Sequence, residues 1–326
     1  MSLFSSPRVV ASFAAIYLIW GSTFLAIRWA VETIPPFPMM ALRCMIGGGI
    51  LLALSRLREP GSAWPTGRQW LGAAAVGMFL FVGCHGLLAR EEQHVPSGVA
   101  ALFLATIPLF VPLLAWGLTG SGRPSARTTG ALVTGFAGVA LLVAVQGAGG
   151  GGVSVTDGGL LLLSAFSWAA GTIATRVVPM PASPLTAAAA PLLAGSVALA
   201  MISLATGEAG DVSASAVSGR SLLGLGYLVV MGTVVTFAAY VWLLRHVPPT
   251  RVATYAFVNP AVAVLLGWAI AGESVSVGTL LATALIIVAV AAAVSDNAAS
   301  PSRRRAMTDS AEPVSPCADR VAGESL

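Results

Sequence analysis

The stretch Trp20-Gly-Ser-Thr-Phe-Leu-Ala-Ile-Arg28 returns later in the chain as Trp168-Ala-Ala-Gly-Thr-Ile-Ala-Thr-Arg176. The offset is 148 residues (168 minus 20), and the tryptophan, one alanine and the arginine coincide. At the same offset Pro36 meets Pro184. The two stretches therefore indicate an internal duplication.

A second pair of stretches supports the duplication. His94-Val-Pro96 returns as His246-Val-Pro248 at an offset of 152 (246 minus 94), which also brings Pro108 onto Pro260. Two nearly equal offsets indicate one duplication event with a small insertion. The chain consists of two related halves.

The composition places both halves in a membrane. Of the 326 residues, 56% are hydrophobic and 9% charged, with a mean hydropathy of +0.87, whereas soluble domains carry roughly 25% charged residues. The apolar residues form runs of roughly 20, the length that a membrane-spanning helix needs. Barrel strands would alternate polar and apolar residues, and these runs do not. We predict about ten spans: 9–28, 36–56, 70–90, 97–118, 127–146, 158–177, 184–205, 221–243, 251–271 and 275–294.

The number of spans per half decides how the halves are arranged. Because each half has about five spans, an odd number, the second half must enter the membrane from the opposite side. We predict an all-α membrane protein of ten helices in two inverted five-helix repeats. The predicted units are the first repeat, a glycine-rich connector, the second repeat and a disordered cytoplasmic tail, at 1–146, 147–157, 158–294 and 295–326 respectively.

The basic residues predict the orientation. All 17 are arginines, and they cluster on one side if the N-terminus is cytoplasmic. The cytoplasmic set is Arg8, Arg56, Arg58, Arg68, Arg123, Arg127, Arg176, Arg245, Arg251, Arg303, Arg304, Arg305 and Arg320; the opposite set is Arg28, Arg90 and Arg220. The positive-inside rule then puts both termini in the cytoplasm. The net charge of +4 is explained by topology and lipid head groups, so no nucleic-acid partner is expected.

Several short motifs carry a family resemblance. They are Tyr17-Leu-Ile-Trp-Gly-Ser-Thr-Phe24, Ile34-Pro-Pro36, Ala41-Leu-Arg43, Val95-Pro-Ser-Gly98, Ala105-Thr-Ile-Pro108 and Tyr255-Ala-Phe-Val-Asn-Pro260. In this order and spacing, over about residues 9 to 294, the chain resembles the drug/metabolite transporter superfamily, and within it EamA-domain exporters of the YedA-like branch. The resemblance implies a ten-helix, two-repeat carrier with a central substrate cavity.

Two prolines mark candidate cavity walls. Pro108 and Pro260 lie near the middle of their spans, where proline removes a backbone donor and should open the helix. Irregular backbone at that depth is tolerated only against protein or a water-filled cavity. We therefore predict that Pro108, Pro260, the adjacent Asn259 and Thr106, two residues before Pro108, line the cavity. The alternative is that the prolines are simply tolerated in a packed bundle.

Aromatic and hydroxyl side chains supply further candidates. Trp20 and Trp168 lie within spans rather than at the interfaces, so they either pack in the interior or present a flat face to a solute. Thr23 and Thr172 are their polar neighbours. Interior packing and solute contact both remain possible roles for the two tryptophans. The residues around them differ between the halves, as expected either from different substrate contacts or from neutral drift.

Three other polar groups fall within spans. Tyr240, Tyr255 and His85 could each bond a solute or bond a neighbouring helix, and for His85 the helix contact is the more frequent role in such positions. The histidine pKa would also suit proton coupling. We keep all three as substrate-binding candidates.

Arg43 is the costliest residue within the spans. It should be paired, with Glu32 or Glu91 as partners, or it should attract anions at the cavity mouth. No acidic residue lies at a clear midplane position. Glu273 is expected near the N-terminus of the last helix, where the helix dipole favours a carboxylate.

We find no motif for catalysis or for a cofactor. Zinc-protease, serine-hydrolase and phosphate-loop patterns are missing, the cysteines form no metal-ligand spacing, and there is no lysine. We therefore predict no catalytic residues, no bound metal and no cofactor.

The function predicted is secondary transport, with export of small metabolites, amino acids or drugs across a bacterial cytoplasmic membrane. The expected partners are a small-molecule substrate and the lipid bilayer. A homodimer is compatible with the small-residue spacing of Ala131 with Gly135 and Thr134 with Gly138. The alternatives are a channel-like facilitator and a non-transporting membrane scaffold.

Overall fold

The computed structural model describes residues 6–119, 123–148, 153–213, 215–247, 252 and 254–299, and every regular element within them is helical. Besides a four-residue helix at Glu208–Asp211, the described residues form ten long helices. They are α1 (Pro7–Ala30), α2 (Pro36–Arg58), α3 (Gly67–Glu91), α4 (Ser97–Leu118), α5 (Ala126–Ala148), α6 (Val155–Val177), α7 (Pro184–Thr206), α8 (Gly219–Tyr240, extended by Thr236–His246), α9 (Tyr255–Ala271) and α10 (Val277–Ala299).

Nine of these helices are long and apolar enough to cross a membrane, within the described ranges. The exception is α9, which has 17 residues and begins at Tyr255, later than the predicted start at 251. The all-helical prediction is confirmed. The count of ten crossings and the cytoplasmic termini stay predictions.

Local sequence signals explain several helix ends. Pro36 and Pro184 open α2 and α7, each 23 residues long, because proline costs no hydrogen bond in the first turn. Helix α6 begins inside the predicted connector, since Ser154 and Asp157 form a reciprocal capping box there. The predicted tail begins as the last turns of α10, and from residue 300 onward it lies outside the described residues.

The packing of the helices repeats between the halves. Helix α2 packs against α7 and α5 against α10, while the pairs α1 with α8 and α6 with α3 are equivalent under the repeat. Glycines at equivalent positions permit the latter contacts: a Cβ on Gly72 would collide with the carbonyl oxygen of Pro179, and one on Gly224 would lie 2.7 Å from that of Ala26. The duplicated sequence thus produces duplicated backbone contacts.

The small residues of α5 pack within the chain. A Cβ on Gly135 would collide with Leu109 of α4, and one on Gly138 would lie 2.9 Å from Ile286 of α10. This spacing therefore serves the bundle itself, and a second copy of the chain is not needed to explain it. Large apolar side chains on the outer faces, such as Leu71, Leu223 and Val288, are exposed, as expected for surfaces in contact with lipid.

Candidate solute-binding centre

Three aromatic side chains from α1, α8 and α9 form a cluster. The ring centroid of Trp20 lies 5.4 Å from that of Tyr240 and 5.1 Å from that of Tyr255, and the two tyrosines are 6.1 Å apart. The Trp20 indole Nε1 donates to the carbonyl oxygen of Gly232 at 3.1 Å. We call Trp20, Tyr240 and Tyr255 the first aromatic cluster.

A second cluster lies on the repeat-equivalent helices. The His85 ring stacks on Phe81 at 5.7 Å and meets the edge of Trp168 at 5.1 Å. The His85 Nδ1 lies 3.0 Å from the carbonyl oxygen of Leu80, so with the proton assigned to Nδ1 it donates to that carbonyl. We call Phe81, His85 and Trp168 the second aromatic cluster.

The carbonyls in both clusters are available because α3 and α8 widen. Both contain a π-helical segment, Met78–Gly86 in α3 and Leu228–Val235 in α8, and such segments often mark functional sites. Neighbouring hydroxyls bond the carbonyls there, as Ser167 of α6 does to Phe79 at 2.9 Å. Sequence reasoning missed these segments, and the only local signal was a pair of serines, Ser164 and Ser167, one turn apart on α6.

Arg43 lies between the two clusters. Its side chain is 7% exposed, its Nε donates to the Thr233 hydroxyl at 3.3 Å, and an Nη lies 3.8 Å from the Met40 sulfur. Its charge acts on His85 in the second cluster. A buried guanidinium with few oxygen partners is a candidate for binding an anionic group.

The acidic partners predicted for Arg43 are wrong. Glu32 instead pairs with Arg220 at 3.2 Å, and Glu91 interacts with Asp157 of α6. Both acids lie at helix ends, where Arg43 does not reach them. The acid whose charge does act on Arg43 is Glu92.

Pro108 opens α4 as predicted. The helix is interrupted by a turn at Ala105 and Thr106, between Ser97–Leu104 and Ile107–Thr119. The buried Thr106 hydroxyl donates to the Phe103 carbonyl at 2.6 Å. We find no ring contact or hydrogen bond from Thr106 or Pro108 to either aromatic cluster in the described part of the chain.

Pro260 lies inside the continuous helix α9 and is buried. The adjacent Asn259 faces the carbonyls of Ile16, Tyr17 and Tyr255 at 3.1 to 3.2 Å, which requires its amide nitrogen to point toward them. Because carbonyls only accept hydrogen bonds, the amide joins α9 to α1. Asn259 therefore has protein partners for its donors and does not depend on a solute.

The two threonines bond their own helices. Thr23 donates to the carbonyl of Trp20 at 2.6 Å, and Thr172 donates to that of Trp168 at 2.9 Å. Each hydroxyl thus has a hydrogen-bond acceptor within its own helix, at the backbone of a cluster tryptophan. These bonds lie within one helix and do not by themselves place either threonine in an aromatic cluster.

A charged junction lies at the end of the bundle that the arginines predict to be extracytoplasmic. The Glu273 carboxylate accepts bonds from the Ser97 amide at 2.7 Å, the Ser97 hydroxyl at 2.8 Å and the Gly98 amide at 3.0 Å. Arg28 Nε lies 3.8 Å from the same carboxylate, and its Nη donates to the Val95 carbonyl at 3.0 Å. We call this set the outer junction.

The expectation for Glu273 is corrected by this geometry. Its carboxylate caps the N-terminus of α4, where orphan amides and the helix dipole favour a negative charge, and not the N-terminus of α10. The contact joins residues 176 positions apart in the sequence. Spacing along the chain could not have revealed it. Among the described residues we also find no cluster of three or more metal-binding side chains.

Comparisons with known proteins identify the family and the fold. The model of the EamA-like transporter family matches residues 8–144 and 159–295. The chain is 37% identical over 279 residues to the inner membrane transporter YedA of Escherichia coli (strain K12), covering 85% of this chain and 87% of that protein. It is 25% identical over 298 residues to the transporter YvbV of Bacillus subtilis (strain 168), covering 89% and 92%. A solved structure described as "Crystal structure of protein" shares the fold, with a TM-score of 0.60 and 23% identity over 88% of this chain and 98% of that one.

Proposed function

The chain belongs to the EamA-like transporter family, and from this premise we propose that it is a secondary transporter of the bacterial inner membrane that exports small organic solutes by alternating access. The resemblance stated from the sequence is confirmed at the level of the family. The relatives named above are transporters, which agrees with the lack of a catalytic motif. The substrate, the direction and the mechanism are our proposal.

The observation that carries the proposal is the equivalence of contacts between the halves. A Cβ on Gly47 would lie 2.7 Å from Thr233, and one on Gly195 would lie 3.0 Å from Phe81. Gly195 is the counterpart of Gly47 (195 minus 148), and Thr233 that of Phe81 (233 minus 152). Two halves with interchangeable contacts can exchange conformations, which is how an inverted repeat alternates access to one site.

The proposed binding site lies between the two aromatic clusters, beside Arg43. Aromatic rings offer flat apolar faces and edges, and a buried guanidinium favours a carboxylate or another anion. Small metabolites and amino acids with an anionic group and an apolar part fit this chemistry. Tyr240 and Tyr255 add hydroxyl groups that can bond a polar part of the solute.

The test is transport by purified protein in lipid vesicles. We expect saturable uptake that is stimulated by solute on the other side, in a screen of amino acids, nucleobases and hydrophobic cations. Unsaturable conductance would identify a channel-like facilitator instead, and no flux of any solute would leave a scaffold.

Replacing Arg43 tests its part in the site. Arg43→Met should abolish transport of acidic solutes and spare neutral ones. Arg220→Met is the control, because Arg220 is half exposed in a surface pair with Glu32. If Arg43→Met protein is folded and still transports acidic solutes at the rate of the original protein, Arg43 does not bind the solute.

A further inference from the structure

The outer junction contains a second carboxyl group, Glu92, which directly follows α3. Its side chain is fully buried, and neither oxygen has a hydrogen-bond partner in the described part of the chain. Buried polar groups normally have such partners, so Glu92 requires an explanation. An ionised carboxylate in this state would be very costly.

The charged groups around Glu92 come from three elements. Glu273 faces it from the turn between α9 and α10, Arg28 from α1 and Arg43 from α2. On its own segment lie Arg90, Glu91 and His94, and Asp157 of α6 interacts with Glu91. The opposing charges of Glu273 and Arg28 are already engaged with each other.

The main donors of the junction bond groups other than Glu92. The amides of Ser97 and Gly98 and the hydroxyl of Ser97 all bond Glu273, and one Nη of Arg28 bonds Val95. Glu92 receives none of these hydrogen bonds and lies under the influence of the Glu273 charge, and when two carboxyl groups repel each other in this way one of them keeps its proton. Glu273 holds the donors, so Glu92 is the group that keeps the proton.

Burial, and then the negative charge of Glu273, raise the pKa of the Glu92 carboxyl well above its usual range. The charges of Arg28 and Arg43 lower this pKa only in part. The Arg28 backbone amide also lowers it in part, although it lies near Glu92 without hydrogen-bond geometry. The raised pKa agrees with the shortage of donors. It adds to the geometric argument and does not replace it.

We propose that Glu92 is a proton-binding site, which holds its proton while the outer junction is closed and releases it as the junction opens. This inference rests on the proposed alternating access. When Glu273 leaves Ser97 and Gly98, water reaches Glu92, the carboxyl ionises, and the proton passes to the outer solution. When the junction closes, Glu92 takes a proton back from the same side. The proton therefore controls opening without crossing the membrane.

The counterpart positions make this site specific to one end. The residue equivalent to Glu92 is Leu244 (92 plus 152), and the residue equivalent to Glu273 is Ser121 (273 minus 152), which lies outside the described residues. Neither counterpart carries a carboxyl group. External pH should therefore act on the outer junction alone.

Infrared spectroscopy tests the protonation directly. We expect purified protein at neutral pH to show a carboxylic-acid carbonyl band that is lost in Glu92→Gln and kept in Glu32→Gln, a carboxylate at the same end in a half-exposed ion pair. If the band is the same in Glu92→Gln as in the original protein, the inference is wrong. If Glu92→Gln does not fold, Glu273→Gln serves instead. If Glu92 carries the proton, removal of the Glu273 charge should make the carboxylic-acid band disappear at a lower pH than in the original protein. If the band arises from another group, its pH dependence should not change.

Distance measurements test the coupling to opening. Spin labels at Gln93 and Ser274, both exposed beside the junction, are introduced in a background without the native cysteines. We expect the distance between the labels to lengthen as the pH is raised, and to stay short in Glu92→Gln. If the distance between the labels does not change with pH when Glu92 is present, the inference is wrong. Neither measurement uses a solute. Failure of this inference can therefore be distinguished from failure of the proposed transport, which the vesicle assay tests.

Discussion

The two ends of the bundle are built from the same repeat but are held together by different chemistry. At the outer junction, Glu273 binds the first turn of α4 beside Arg28. At the opposite end, a small apolar cluster packs the start of α1 against the end of α8, and Asn259 joins α9 to α1. The members of that cluster are Val9, Phe13, Ile16, Leu243, Val247 and Val252. Duplication preserved the helix packing, but it did not preserve the charges.

This difference implies that solution conditions act unequally on the two ends. Arg28 is 35% exposed at its side chain, so salt reaches the outer ion pair, and a proton at Glu92 neutralises a charge there. The six apolar side chains of that cluster and the Asn259 amide contacts carry no charge. The loss of stability caused by a substitution should therefore depend on pH and salt at the outer end but not at the inner end.

The largest effect is expected for Glu273→Ala. The substitution removes three hydrogen bonds to a carboxylate and leaves the first amides of α4 without an acceptor, which should lower the free energy of unfolding by about 3 kcal/mol. Thermal unfolding in detergent, followed by tryptophan fluorescence, measures the change.

A matched control is Glu208→Ala. The Glu208 carboxylate also caps a helix at this end, but through one bond, from the Phe37 amide at 2.9 Å. We expect a loss of about 1 kcal/mol, as for other helix caps. Equal losses in the two variants would show that the outer junction is no stronger than an ordinary cap.

At the inner end, Asn259→Leu should destabilise the protein by about 1 to 2 kcal/mol, since it removes the amide contacts between α9 and α1. The change in melting temperature should be the same at low and high salt, because no net charge is removed. A loss that varies with salt would contradict the comparison between the two ends.

The pH dependence of stability sharpens the comparison further. Because the pKa of Glu92 is raised in the folded protein, the folded state binds this proton more tightly than the unfolded chain. The stabilisation is complete below the ordinary glutamate pKa of about 4.3, declines as the pH rises above it, and is lost once the pH passes the raised pKa. Glu92→Gln stays neutral, so its melting temperature should fall less as the pH is raised above the ordinary glutamate pKa of about 4.3. Parallel curves for the variant and the original protein would argue against a protonated Glu92.

Local signals were sufficient to predict the helices. Run length gave the spans, and Pro36 and Pro184 gave the starts of α2 and α7 to the residue. Both prolines act within one turn of their own position, and such effects are readable from sequence. The duplication also identified Trp20 and Trp168 as equivalent positions of the two halves, and each of them lies in an aromatic cluster.

The partners of the charged groups could not be predicted in the same way. Arg43 was expected to pair with an acid, yet it bonds Thr233, which lies 190 residues away, and Glu273 caps a helix of the other half. The π-helical segments also depend on tertiary packing, since they supply carbonyls to side chains of other helices. Long-range contacts of this kind leave no periodic signal in the sequence.

The smallest predicted effect concerns the two cluster tryptophans. Trp20 donates its indole proton to Gly232, whereas we find no hydrogen bond from the Trp168 indole in the described part of the chain. Both Trp20→Phe and Trp168→Phe keep an aromatic ring, but only the first removes a bond between helices, which in a membrane bundle is worth about 0.6 kcal/mol. Trp20→Phe should therefore lower the free energy of unfolding by about 0.6 kcal/mol more than Trp168→Phe, and it should unfold at the lower temperature in matched detergent melts. If the order is reversed, the indole bond of Trp20 does not stabilise the first cluster, and the difference between the halves lies in ring packing alone.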